Sequence, residues 1–190
     1  MDSTALVIMV ALAVVVIAGV AWWAWQRRQR AHLRERFGPE YERTLRSVGD
    51  VRRAEADLAA REKRIARFQI RQLTADEVTR FGEVWHHVQA LFVDDPRGAI
   101  NEADRLVTEV MTARGYPISD FDQRVADISV DHPIVVEHYR AAREIVARHK
   151  RGDATTEDLR QGFVHYRTLF DDLLEVKRPE LKAEKAEVRA

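Results

Sequence analysis

Histidines and paired carboxylates are the side chains of this sequence with the most chemistry to offer. There are seven histidines and no cysteine. A metal centre would therefore need imidazole and carboxylate ligands, and neither a thiolate nucleophile nor a disulfide framework exists. Two ligands on one helix must stand three or four residues apart to share a face. His86 and His87 are adjacent and on a helix would point about 100° apart. His132, His138, His149 and His165 have no partner at helical ligand spacing and no Glu-x-x-His motif. They read as surface or half-buried structural histidines, and no metal or other cofactor is expected.

Asp94-Asp95 and Asp171-Asp172 are the acidic pairs. Acid–base or two-metal work needs carboxylates that converge from separate elements. Asp95 precedes Pro96 and has a plainer use as a helix cap. The second pair falls on a helix with one solvated face. The eight glycines are scattered, each with a turn or cap reading, so no phosphate loop or serine elbow is formed. No catalytic residue is assigned, and the expectation is a protein that is not an enzyme.

The N-terminus is more informative. Ala5 to Trp25 is a run without a single charge, and about 20 apolar residues in a helix cross a hydrocarbon core of roughly 30 Å. Trp22, Trp23 and Trp25 close the run, where indole rings favour the headgroup layer. Arg27, Arg28 and Arg30 come next and stop it sliding inward. A cleaved signal peptide fits less well: Asp2 stands where a basic n-region belongs, the apolar core is too long, and tryptophans occupy the cleavage position. Arginines after the helix and none before it predict the N-terminus outside and the remainder in the cytoplasm.

Beyond the tryptophans the chain divides by charge. Arg27–Gln72 holds 14 Lys/Arg against 7 Asp/Glu, and Leu73–Glu175 holds 12 against 20. Anionic lipid attracts the first block, whereas its interleaved acids weaken any nucleic-acid face, and no nucleic acid is expected. Gly38-Pro39 marks a break. Past it Tyr41, Leu45, Val48, Leu58, Ile65 and Phe68 make a narrow stripe, interrupted at Gly49, that suits a stalk or coiled coil.

The acidic part shows wider faces. Thr74 with Glu77 has capping-box spacing, and Phe81, Val84, Trp85, Val88, Leu91 and Phe92 succeed it at helical intervals. Asp95-Pro96 opens a helix lined by Ile100, Ala103, Leu106, Val107, Val110 and Met111, ended by Gly115 and Pro117. Ser119 is read as the cap of a short helix with Phe121 and Val125. Asp131 and Pro133 are read as opening the next, with Val135, His138, Tyr139, Ala142, Ile145 and Val146 inward and Gly152 closing it. Thr155 or Thr156 starts the last, which carries Leu159, Phe163, Tyr166, Phe170 and Leu173. No stretch alternates as a strand would.

Several segments have a familiar order: RERFGPEY at 34–41, FVDDP at 92–96, EADRLVTEVM at 102–111, RGYP at 114–117, VDHP at 130–133 and EHYRAA at 137–142. Together they resemble a family of uncharacterised bacterial proteins of high-GC lineages, often labelled putative secreted. The resemblance implies a bacterial inner-membrane setting and an anchor-plus-helices layout, and it implies no activity.

The expected fold is all-α: a single N-terminal transmembrane helix, a charged stalk helix, then an antiparallel bundle of about four helices. The divisions are 1–30 for the anchor and its basic stop, 31–72 for the stalk, 73–176 for the bundle and 177–190 for a disordered charged tail. The expected role is a non-enzymatic, membrane-tethered protein-interaction module whose partners are the lipid bilayer and an unidentified protein. A helical domain binding a small molecule or lipid is the alternative, and a homo-oligomer joined through the stalk is the third reading.

Overall fold

The computed structural model describes residues 3–117 and 119–175, with side chains from residue 11 onward. The tail expected at 177–190 lies outside the described residues. Among the described residues the secondary structure is helical throughout, in eight helices. The chain divides into two compact units, the first ending at Ala59 and the second starting at Ala60.

The first unit begins with α1 (Ser3–Phe37), 35 residues that extend about 52 Å at 1.5 Å per residue. Among the described residues no helix is long and apolar enough to cross a membrane. The start of the run read as an anchor, residues 5–10, falls outside the described side chains.

A single stalk helix over 31–72 is not what forms, and the sequence reading needs correcting there. α1 continues to Phe37, α2 spans Pro39–Val48, and α3 spans Val51–Ile65. Pro39 disfavours helical geometry at the residue before it, which separates α1 from α2. Gly49 then takes φ 73 and donates its N–H to the Leu45 carbonyl, the left-handed cap that ends α2. With 10 and 15 residues on either side of this break, no seam runs far enough for a coiled coil of three or four heptads. Of the proposed stripe, Tyr41, Leu58 and Ile65 are buried, whereas Val48 and Phe68 are exposed.

In the second unit, α4 (Ala75–Asp94), α5 (Pro96–Ala113), α7 (Val136–Lys150) and α8 (Thr156–Leu173) form a bundle, with the short α6 (Phe121–Ile128) against α7. Contact registers fix the directions. His138 meets His165 and Arg148 meets Asp158, so α7 and α8 are antiparallel. Trp85 stacks on Phe170 while Phe92 meets Phe163, so α4 and α8 are antiparallel too. Asp104 bonds Tyr166 and Ile100 touches Gly162, so α5 runs parallel to α8.

Three starts are set by the residues that sequence points to. Thr74 and Glu77 form the full capping box of α4, and Thr155 forms another with Asp158 on α8. Asp95 caps α5 by accepting the Gly98 N–H at 2.9 Å. Two others differ. The cap of α6 is Asp120, which accepts the Gln123 N–H, and not Ser119. Nor does Asp131 cap α7: Val135 holds that position without a side-chain bond, and Asp131 accepts the Tyr116 hydroxyl instead.

Not every glycine has a turn or cap role either. Gly162 sits inside α8, where an added Cβ would stand 2.7 Å from Ile100 Cδ1 and 3.0 Å from Ile145 Cγ2. Its missing side chain is what lets α5 and α7 approach α8 so closely.

Candidate functional site

The residues predicted to mark a membrane boundary lie along the middle of α1. Trp22, Trp23 and Trp25 are all exposed, at 57–61% of their full surface. Arg27 folds back so that its guanidinium lies 5.4 Å from the centre of the Trp23 ring. Arg28 is exposed. Arg30 is drawn sideways: its Nε donates to Glu55 Oε2 on α3 at 3.3 Å and lies 3.1 Å from Oε1. The same carboxylate accepts the Tyr41 hydroxyl at 3.0 Å, and Arg34 lies over the Tyr41 ring. Burial and then Glu55 hold the Tyr41 phenol above its usual range. Arginine, tyrosine and glutamate thus tie α1, α2 and α3 into one assembly just past the tryptophans.

Over residues 11–21, ahead of the tryptophans, α1 carries only apolar residues. Leu12, Val14, Val15, Val16, Ile17 and Val20 are between 56% and 70% exposed. Among the described residues no other element covers these side chains.

The second unit gathers titratable groups in the seam between α7 and α8. His138 Nδ1 and His165 Nδ1 are 2.9 Å apart across the two helices. His132, in the loop before α7, places Nδ1 2.5 Å from Asp172 Oδ2 on α8. Asp172, 41% exposed on the partly solvated face of α8, thus also anchors a loop. Tyr116 bonds Asp131 nearby, and burial is the main reason its phenol is raised far above the ordinary value. Arg114, buried, donates to the Leu173 carbonyl at 2.7 Å and to Glu175 at 2.8 Å. Deeper in, Asp104 of α5 receives the Tyr166 hydroxyl at 2.8 Å and Arg143 at 3.2 Å. Asp127 of α6, 1% exposed, receives Arg64 and Gln123.

These groups join helices and do not converge on a reacting centre. Among the described residues no three His, Asp or Glu side chains are placed to hold a metal ion. An enclosed cavity beside Thr108, Tyr116, Arg124 and Asp127 is about 10 Å³, the volume of roughly one water. An open groove of about 530 Å³ runs along α4 and α5, between Arg80, Phe81, Arg105 and Glu109. Arg105 is held there by Glu102 and Glu109 of its own helix.

The histidine pair has a consequence for stability. Burial, and then the neighbouring His138, lower the His165 pKa below 6.5. The unfolded chain therefore takes up a proton at His165 near pH 6.5 that the folded chain resists, so stability falls as pH drops through that value. One hydrogen suffices for the N···N bond, and a proton on every ring nitrogen would set two N–H groups against each other. Melting the wild type and His165→Gln at pH 7.5 and 5.5 tests this. We expect the acid-induced loss in Tm to shrink by a few degrees in the variant. Equal losses in the two proteins would refute it.

Compared with protein-family profiles, with curated proteins and with solved structures, the chain matches nothing.

Proposed function

We propose that this protein is a non-enzymatic, membrane-tethered interaction module: α1 lies in a bilayer and the acidic helical bundle is presented to a protein partner beside it. The observation that carries this reading is the uncovered apolar surface of α1, bounded by three tryptophans and then by arginines. Leaving six large aliphatic side chains in water on one helix is unfavourable by roughly 25 cal/mol for each Å² of apolar surface, and a hydrocarbon phase removes that cost. The resemblance to bacterial proteins with a similar anchor-plus-helices layout points the same way. The arginine distribution orients the chain with its N-terminus outside and the bundle in the cytoplasm.

A ligand-binding role finds less support. Ligand pockets are usually enclosed, mostly apolar and about 300–1,000 Å³; of the two depressions described above, the cavity beside Tyr116 is about 10 Å³ and the groove of about 530 Å³ is open to solvent.

The test is fractionation of the full chain in bacterial cells. It is expected to stay in the membrane pellet after alkaline carbonate, and a chain lacking residues 1–26 to appear in the supernatant. Protease added to intact spheroplasts should leave the bundle uncut until the cells are lysed. Extraction of the full chain by carbonate would refute the anchor, and digestion in intact spheroplasts would reverse the topology. If the anchor holds but nothing copurifies from solubilised membranes, the interaction role fails.

A further inference from the structure

We infer that the corner between α2 and α3, Arg46–Arg53, is a second membrane contact that settles into the headgroup layer of a bilayer containing anionic lipid. The inference rests on α1 being inserted as proposed above.

The corner has the composition such a contact needs. Val48 ends α2 and Val51 begins α3, and they are 40% and 41% exposed in an otherwise charged stretch. Arg46, Arg52 and Arg53 surround them and are exposed. Asp50, the acid between them, is occupied in accepting the Arg53 N–H at 2.8 Å. Small apolar side chains among arginines suit the boundary between acyl chains and anionic headgroups, where each basic residue adds attraction.

The corner also lies one turn of α3 from the residue that links it to α1. Glu55 of α3 pairs with Arg30 at 3.1 Å and accepts the Tyr41 hydroxyl at 3.0 Å, which links α3 to α1 and α2 at this level. Arg30 is five residues past Trp25, about 7.5 Å along the helix, and Val51 is one turn before Glu55. An arginine side chain extends the reach of the corner, because its hydrocarbon stem lies along the protein while the guanidinium reaches out. Arg27, Arg28 and the corner arginines would then face one layer of phosphates from two sides of the first unit.

Because the chain has no cysteine, single labels read this directly. Val20→Cys and Val51→Cys, each in the full chain, are labelled with an environment-sensitive fluorophore. Both are reconstituted in vesicles of phosphatidylcholine alone or with one third phosphatidylglycerol. The label at position 20 should report hydrocarbon in both lipids. The label at 51 should shift to the blue, and be quenched by a headgroup-attached spin label, only when phosphatidylglycerol is present. Arg46→Gln, Arg52→Gln and Arg53→Gln combined should cut that quenching at least threefold. A label at 51 that stays in water with phosphatidylglycerol, while position 20 is in hydrocarbon, overturns the corner contact and leaves the corner as a protein-facing surface. A label at 20 that stays in water overturns the anchor itself, and the corner contact with it.

Discussion

Trp85→Ala is expected to destabilise the bundle by about 3–5 kcal/mol, the range for deleting a large buried aromatic. Trp85 is 4% exposed and stacks between two rings of α8, Phe163 at 5.0 Å and Phe170 at 4.7 Å, both within 20° of parallel. Phe163 in turn meets Phe92 towards the end of α4, so the truncation empties the centre of the α4–α8 contact. A domain of this size has a total stability of about 5–15 kcal/mol, and the variant should be close to the edge of folding at 37 °C. Trp85→Phe separates packing from polarity. The indole Nε1 is buried with no partner among the described residues, so the phenyl ring sacrifices no hydrogen bond to them and should cost less than half as much. Urea unfolding tracked by circular dichroism measures both. A Trp85→Ala midpoint within about 1 kcal/mol of wild type would mean that the stack contributes no more than an ordinary surface contact.

The same region shows what a sequence can and cannot convey. Helical spacing puts Phe81, Trp85 and Val88 on the buried face of α4, because the apolar period of a helix is written in its own residues. Caps are equally legible at Thr74, Asp95 and Thr155, where the donor and acceptor stand within three residues of each other. What lies across from a face is not legible. Nothing local joins Trp85 to Phe163 and Phe170, or His138 to His165, since those partners are fixed by the register of separate helices. Asp172 shows in the sequence only as half of a solvated acidic pair, because its partner His132 is forty residues away. The start of α7 is misleading because a cap-like Asp131 with a proline after it also serves as an acceptor for a tyrosine in another loop. At the N-terminus the run of uncharged residues is plain, while the break of the stalk into two helices turns on Gly49, visible only as an interruption of a sparse stripe.

Gly115→Ala is expected to cost about 2–4 kcal/mol, combining unfavourable backbone geometry with a steric conflict. Gly115 terminates α5, and the N–H of the next residue, Tyr116, returns to the Met111 carbonyl at 3.0 Å, closing the helix in the manner of a Schellman turn. Its φ is +95, and a Cβ would stand 2.4 Å from the Gln69 carbonyl oxygen and 3.3 Å from its carbon. The obstacle is backbone, and that backbone is itself held, because Arg71 donates its N–H to the Arg114 carbonyl at 2.9 Å. Neither partner can move without loosening the link between α3 and α4. Gly152→Ala is the matched control: φ there is +85, but an added Cβ has nothing within 4 Å. It should cost only about 1 kcal/mol, the penalty for a left-handed non-glycine residue. The difference between the two urea midpoints isolates the contact with Gln69. Equal losses would mean that the 66–74 segment yields freely, and that positive φ alone accounts for glycine at residue 115. A clear excess at residue 115 would show that the path of this connecting segment is set by the close approach of two backbones, a constraint that a terminal glycine in the sequence announces only as the end of a helix.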